Sequence, residues 1–264
     1  MKYVIVTGAS GGMGKASCKF LKEKGYEVIS LDKEIEEDSP LNIKCDITSN
    51  DSVINALNKI KEITDDVYAI IHFAGIYYLD SLVEIDDEKY ERIFKINVIG
   101  PFLINKYFLP LLHSGSKILL TTSELATYDP LPFTGLYGIT KTTLDKYSYS
   151  LAMELQLLGI RVSVLRPGAV KTDMLKASTD ELDDFCDKTK LYNISANNFK
   201  KVVNNVEAKY ITPDKIARKV VKILNKKNPK FSYQINRNKL LILLNILPKR
   251  WRFKIIKKIL NKKK

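Results

Sequence analysis

Tyr137 and Lys141 stand four residues apart in Leu-Tyr-Gly-Ile-Thr-Lys, and Ser123 precedes Tyr137 by fourteen residues. A phenol with a pKa of about 10 is a poor acid or base at neutral pH. A lysine one helical turn away shares its helix face, so its ammonium can lie near the phenol oxygen. That charge favours phenolate and is expected to bring the Tyr137 pKa toward the working range. A serine hydroxyl can hold the substrate oxygen that gains or loses the proton. Ser123 follows the run Lys-Ile-Leu-Leu-Thr-Thr at 117–122. It therefore falls at the carboxyl end of a predicted strand, where open α/β sheets hold their ligands. This trio suits proton transfer at a hydroxyl or carbonyl oxygen.

The elements that would bring a redox partner lie at the N-terminus. Tyr3-Val4-Ile5-Val6 reads as a buried strand, and Thr7-Gly8-Ala9-Ser10-Gly11-Gly12-Met13-Gly14 follows at once. Residues 16–24 read as a helix with Ala16, Phe20 and Leu21 on one face, ended by Gly25. Residues 28–32 form a second strand. A glycine turn inside such a β-α-β unit is the setting of a dinucleotide site. Glycine lets the backbone approach a pyrophosphate, and the positive end of the next helix faces the anion. Asp32 ends the second strand, eighteen residues after Gly14. Its carboxylate can accept hydrogen bonds from both ribose hydroxyls and would repel a 2′-phosphate. NAD(H) is thus favoured over NADP(H). The spacing fits Thr-Gly-x-x-x-Gly-x-Gly through Gly8, Gly12 and Gly14. It fits Thr-Gly-x-x-Gly-x-x-Gly through Gly8, Gly11 and Gly14 equally well.

From residue 1 to about 172 these motifs, in this order, resemble the short-chain dehydrogenase/reductase family. The resemblance implies that Asn97, in Lys-Ile-Asn-Val-Ile-Gly, holds a water in a proton relay. It makes Ser123, Tyr137 and Lys141 the rest of a catalytic tetrad, with Lys141 also on the nicotinamide ribose. It puts Asp46 and Ile47 beside the adenine and Ala74-Gly75 beside its ribose. Ser10, Gly11, Gly12 and Met13 become cofactor contacts within the glycine turn. Pro167, Gly168, Val170 and Thr172, in Arg-Pro-Gly-Ala-Val-Lys-Thr-Asp, resemble the turn that meets the nicotinamide. One departure is His72-Phe73 where the family usually carries Asn-Asn; His72 is read as satisfying backbone groups within the sheet. Family members of the extended type need a larger substrate domain than this length leaves, which favours the Gly8, Gly12, Gly14 pattern.

The implied fold is an α/β Rossmann-type doubly wound parallel sheet in three layers. It forms one domain over residues 1–238, with a substrate lid at 173–213, in which Met174 and Leu175 are contacts by position. The implied activity is hydride transfer between a nicotinamide cofactor and a hydrophobic secondary alcohol or ketone, steroid-like, retinoid-like or another lipid. Two alternatives stand beside it: an NADP(H)-dependent ketoreductase on a polar or carrier-bound substrate, and a non-catalytic dinucleotide-binding scaffold at a membrane. Family members commonly form homo-oligomers.

Length, cysteines and charge set outer bounds. A chain of 264 residues can bury one substantial core. Cys18, Cys45 and Cys186 show neither pairing nor metal spacing, and no metal is expected. A strand occupies the N-terminus where a leader would stand, so a reducing cytosol is the expected setting. The net charge of +13 is uneven. Residues 215–264 hold eighteen Lys or Arg and no Asp or Glu, leaving the first 214 residues mildly acidic. The apolar run at 240–247 is too short to span a bilayer. After it, residues 249–264 read as a basic amphipathic helix. Trp251, Ile255, Ile256, Ile259 and Leu260 share one face, and Arg252 is misplaced among them. A tail at 239–264 of this kind fits the surface of an anionic membrane. The competing expectation is that its apolar face packs on the body. Nucleic acid is disfavoured, because no aromatic-interleaved basic strand is present.

Overall fold

Strands buried on both faces read as continuous apolar runs, and a parallel sheet covered on both sides is the structure that accommodates them. The computed structural model, which describes residues 1–36, 38–205 and 210–262, has that sheet. Its strands are β1 (Lys2–Thr7), β2 (Tyr26–Asp32), β3 (Asn42–Lys44), β4 (Val67–His72), β5 (Lys117–Thr121), β6 (Arg161–Pro167) and β7 (Ser232–Ile235). They lie in the order β3-β2-β1-β4-β5-β6-β7, and each neighbouring pair is parallel. The helices are α1 (Gly12–Glu23), α2 (Asn50–Lys61), α3 (Asp87–Phe94), α4 (Gly100–Phe108), α5 (Gly135–Leu155), α6 (Asp173–Lys188), α7 (Asn193–Asn205), α8 (Pro213–Leu224), α9 (Lys239–Ile246) and α10 (Lys249–Leu260).

The two-residue period of a strand sends neighbours to opposite layers. Val4 and Val6 pack with Leu21 of α1 and with Ile216 and Val220 of α8. Ile5, between them, packs with Val53 and Ile60 of α2 and with Ile104 and Phe108 of α4. Further along the sheet, Ile118, Leu120, Val162 and Val164 meet Leu144 and Leu155 of α5. Each such side chain, fully buried, stabilises the fold by roughly 1.5–3 kcal/mol. The strand order reverses between β1 and β4, which opens a crevice at the carboxyl ends of those two strands.

The predicted elements recur with shifted ends, and some differences have physical reasons. α1 starts at Gly12, inside the glycine turn, because Gly11 caps it and the Lys15 amide already donates to the Gly11 carbonyl. β3 and β7 went unread because they are short and carry no apolar run of their own. The polar stretch after Thr172 is mostly helical, as α6 and α7. Val206, at the end of the helical stretch expected at 197–206, lies outside the described residues.

The tail departs furthest from expectation. Arg252 is not misplaced: it is buried and donates to Asp129 Oδ2 at 2.6 Å and to Asn245 Oδ1 at 2.7 Å. The helix face centred on Arg252, Ile256 and Leu260 therefore packs on the body, with Leu260 buried near α7. Trp251 and Phe253 stand out in solvent. Among the described residues no helix is long and apolar enough to cross a membrane.

Candidate active site

The glycine turn joins β1 to α1 at the crevice. Gly8 adopts φ 68°, and a Cβ there would come within 2.7 Å of the Phe73 and Ala74 backbone. A Cβ at Gly12 would meet Thr172 Cγ2 at 2.8 Å, and one at Gly14 would run into the Gly8 carbonyl. Gly11 is under no such demand; its nearest neighbour would be 3.5 Å away. Close packing thus requires glycine at 8, 12 and 14. Asp32, at the end of β2, accepts from the Ser10 amide at 2.9 Å and the Glu34 amide at 3.0 Å. Lys33 turns to Glu34, 3.2 Å away.

A cleft of about 940 Å³ runs along this edge. Ser10, Gly11, Gly12, Met13, Gly14 and Gly8 line it with Asp32, Asp46, Ile47, Ala74, Gly75 and Thr172. Asp46 keeps one oxygen on its own loop, accepting from the Thr48 amide and hydroxyl. Pro167, Gly168 and Val170 do not line the cleft. The Gly168 amide donates to Ile235, and Val170 is buried and bridges to Ile211. A glycine cradle that a Cβ would fill, a helix N-terminus with no acid in its first turn and a terminal carboxylate fit a dinucleotide.

The residues expected to handle the proton form a second layer behind this wall. Asn97 lies in a π-helical turn (Lys95–Ile99) between α3 and α4. Such widened turns are frequent at functional sites. Its side chain is fully buried, accepts from the Ile76 amide at 2.9 Å, and donates to the Ile76 carbonyl at 3.0 Å and Thr140 at 3.1 Å. Tyr137 and Lys141 lie near the start of α5, and Lys141 Nζ is 5.6 Å from the Tyr137 ring centre. Lys141 donates to the Thr121 carbonyl at 3.3 Å, and a Cβ on Gly75 would touch both Lys141 Nζ and Asn97 Oδ1. Ser123 lies two residues beyond β5, and its Oγ accepts from the Leu125 amide. All four side chains are buried, and none of them lines the open cleft.

The electrostatics differ from expectation. Burial pushes the Tyr137 phenol up to about 12, offset only in part by its interaction with Ser123. Burial also draws the Lys141 ammonium down to about 8. Enclosure accounts for the direction of both shifts, and the lowering of the phenol expected from Lys141 does not enter them.

Other residues that build the site carried no motif. The Tyr77 ring, which lines the cleft, packs on Tyr137 with centres 4.8 Å apart. Its one sequence signal is a pair of tyrosines just past Ala74-Gly75. Asp145 of α5 takes both Arg166 Nε and Nη2 at 2.8 Å and also accepts from Thr122. That bidentate pair fixes α5 to β6, and the Thr122 bond ties the same carboxylate to the end of β5 beside Ser123. His72 corrects the sequence reading. Its Nε2 meets the Asn105 side chain at 2.9 Å rather than backbone, and burial draws its pKa down to about 4. The three cysteines are free and buried. No group of three or more His, Cys, Asp or Glu among the described residues could hold a metal ion.

Comparisons with known proteins agree with this fold. Residues 2–183 match the family described as short chain dehydrogenase. Mouse estradiol 17-beta-dehydrogenase 2 is 30% identical over 191 residues, which are 66% of this chain and 49% of that protein. The NADPH-dependent 1-acyldihydroxyacetone phosphate reductase of Schizosaccharomyces pombe is 27% identical over 65% of this chain and 60% of its own length. The matches thus span about half to three fifths of those relatives. The crystal structure of a short chain dehydrogenase family protein from Francisella tularensis superposes with a TM-score of 0.72 at 25% identity. It covers 89% of this chain and 97% of that one. With a family match over most of its length, this chain belongs to the short chain dehydrogenases.

Proposed function

We propose that the protein is an NAD(H)-dependent oxidoreductase that interconverts a hydrophobic secondary alcohol and its ketone. One observation carries the reading: Asn97, Ser123, Tyr137 and Lys141 are buried together behind the wall of a cleft whose far end holds Asp32. When bound, a nicotinamide supplies or accepts the hydride; the chain's residues do the rest. In the reducing direction Tyr137, held protonated by its burial, donates its hydroxyl proton to the carbonyl oxygen. Lys141 offers positive charge to the phenolate left behind, and Ser123 orients the substrate oxygen. Asn97, fixed to Ile76 and Thr140, connects a water to Lys141 in the relay. Catalysis then rests on positioning and on a proton held at one oxygen.

Two features support the finer assignments. Asp32 meets a ribose with acceptors, and the neighbouring Lys33 is engaged by Glu34, which favours NAD(H). On the Tyr77 side the cleft presents Ile76, Tyr77, Tyr78, Met174 and Ala177 beside the charged Arg92, Lys95 and Glu181, and Tyr77 rests on a buried cluster that includes Phe133 and Phe185. The apolar members of that lining favour a lipid-like substrate, drawn from a membrane surface. Ile99 and Phe102, next to and on α4, and Tyr149 and Met153 on α5 stay exposed, and we assign this face to a second copy of the chain.

The test is the fall in NADH absorbance with carbonyl compounds ranging from small and polar to steroid-like and retinoid-like. Turnover is expected with NADH on the hydrophobic members. Asp32→Ser should move the preference toward NADPH by about tenfold or more, the effect of losing one charged hydrogen-bonding group. Turnover confined to polar carbonyls, or no shift in cofactor preference, would overturn these finer assignments.

A further inference from the structure

We infer that α9 and α10 form a docking element for an anionic bilayer, clamped to the segment that joins Ser123 to Tyr137. Leu240, Leu243 and Ile246 of α9 and Trp251 and Phe253 of α10 are between 52% and 74% exposed, and α9 buries no residue fully. Trp251 and Phe253 flank the outer basic row of α10 on either side, and apolar side chains left out in this number on two consecutive helices mark an interaction surface. The charge around them selects the partner. Lys239, Lys249, Arg250, Lys254, Lys257 and Lys258 are exposed, and residues 215–264 contain no acid. Pairing this face with itself in a second copy would oppose like charges, whereas anionic headgroups complement them. An exposed tryptophan beside lysines is the composition of an interfacial helix.

The clamp ties this surface to the catalytic layer. Asp129, in the segment 124–134, accepts from Arg252 Nη2 at 2.6 Å, and its amide donates to Asn245 Oδ1 at 3.1 Å. Glu124, adjacent to Ser123, accepts from the Asn238 amide at 2.7 Å, and Arg237 donates to the Tyr128 hydroxyl at 2.6 Å. Leu260 packs in the same cluster as Phe133 and the lid helices, against which Tyr77 rests. A bilayer on the outer face of α9 and α10 would therefore lie beside the substrate wall. The inference rests on the lipid-substrate reading for its purpose, but its readout does not use turnover.

Trp251 is the single tryptophan of the chain, so its fluorescence reports on this surface alone. The full chain would be mixed with vesicles of phosphatidylcholine, with or without phosphatidylglycerol. A blue shift, quenching by brominated acyl chains and co-flotation are expected with the anionic vesicles, reversed by added salt. Leu243→Ser with Ile246→Ser should weaken co-flotation by about a hundredfold, since each removes a side chain worth about a decade in partition. Circular dichroism and NADH binding of that variant should be unchanged. No shift with anionic vesicles, equal binding to phosphatidylcholine alone, or a shift that grows with protein concentration without lipid would each overturn the inference. A chain that docks but reduces nothing would sink the proposed function and leave docking standing; one that turns over without docking would do the reverse.

Discussion

Tyr137 and Lys141 enter the fold with proton affinities moved in opposite directions by the same cause. Enclosure disfavours the charged form of each, so the phenol rises to about 12 and the ammonium falls to about 8. The sign of the pH effect follows. Tyr137 remains protonated across the neutral range and can serve as the proton donor throughout. Lys141 loses its charge as pH rises through about 8, and the phenolate formed on proton donation then loses its cationic support. The kcat/KM for carbonyl reduction should be level below that point and fall above it; a profile flat into strong alkali would contradict the assignment. The spacing of Tyr137, Lys141 and Ser123 was enough to find them, because one helical turn and one strand end are local geometry. Tyr77 could not be found that way. Its place against Tyr137 depends on the path of the chain after β4, which no local period records.

Elements explain why some residue types stand where their neighbours would forbid them. The π turn at Lys95–Ile99 holds Asn97 within reach of Ile76 and Thr140. The sequence places Asn97 at the site by resemblance but does not reveal the π turn, since a single extra residue in a turn leaves the apolar pattern almost unchanged. Arg252 shows the same limit more sharply. A helical wheel puts it on the apolar face, and only the fold brings Asp129 and Asn245 to meet it. The pair predicts its own test. Asp129→Ala leaves a buried guanidinium without its carboxylate and should cost about 1–3 kcal/mol of unfolding free energy, read by urea titration. Asp129 itself is half exposed, which keeps the cost below that of a fully enclosed pair. No change in stability would mean that α10 is not held to the segment 124–134 in solution.

Across the whole molecule, the sheet order turns separate motifs into one site. The carboxyl ends of β1 and β4 meet at the reversal, and β5 and β6 follow on the same side. The glycine turn, Gly75 and Thr172 thereby line one crevice, with Ser123 in the layer behind it, although 164 residues separate Gly8 from Thr172. The parallel sheet was legible because Val4, Ile5 and Val6 are apolar in succession, which an exposed face does not permit. β3 and β7, at the two edges, were not legible because edge strands need little apolar surface. The uneven charge was visible in the sequence, but which tail residues remain in solvent was decided only by packing.

The most direct test of the central claim is Tyr137→Phe, followed by NADH binding and by single-turnover reduction of a ketone that the unaltered protein accepts. NADH binding should be retained, because the glycine turn and Asp32 are untouched, while reduction slows by about 10²–10⁴-fold, the usual contribution of a positioned proton donor. A variant that binds NADH and reduces the ketone at the original rate would contradict the account, and Tyr137 would not be the group that delivers the proton.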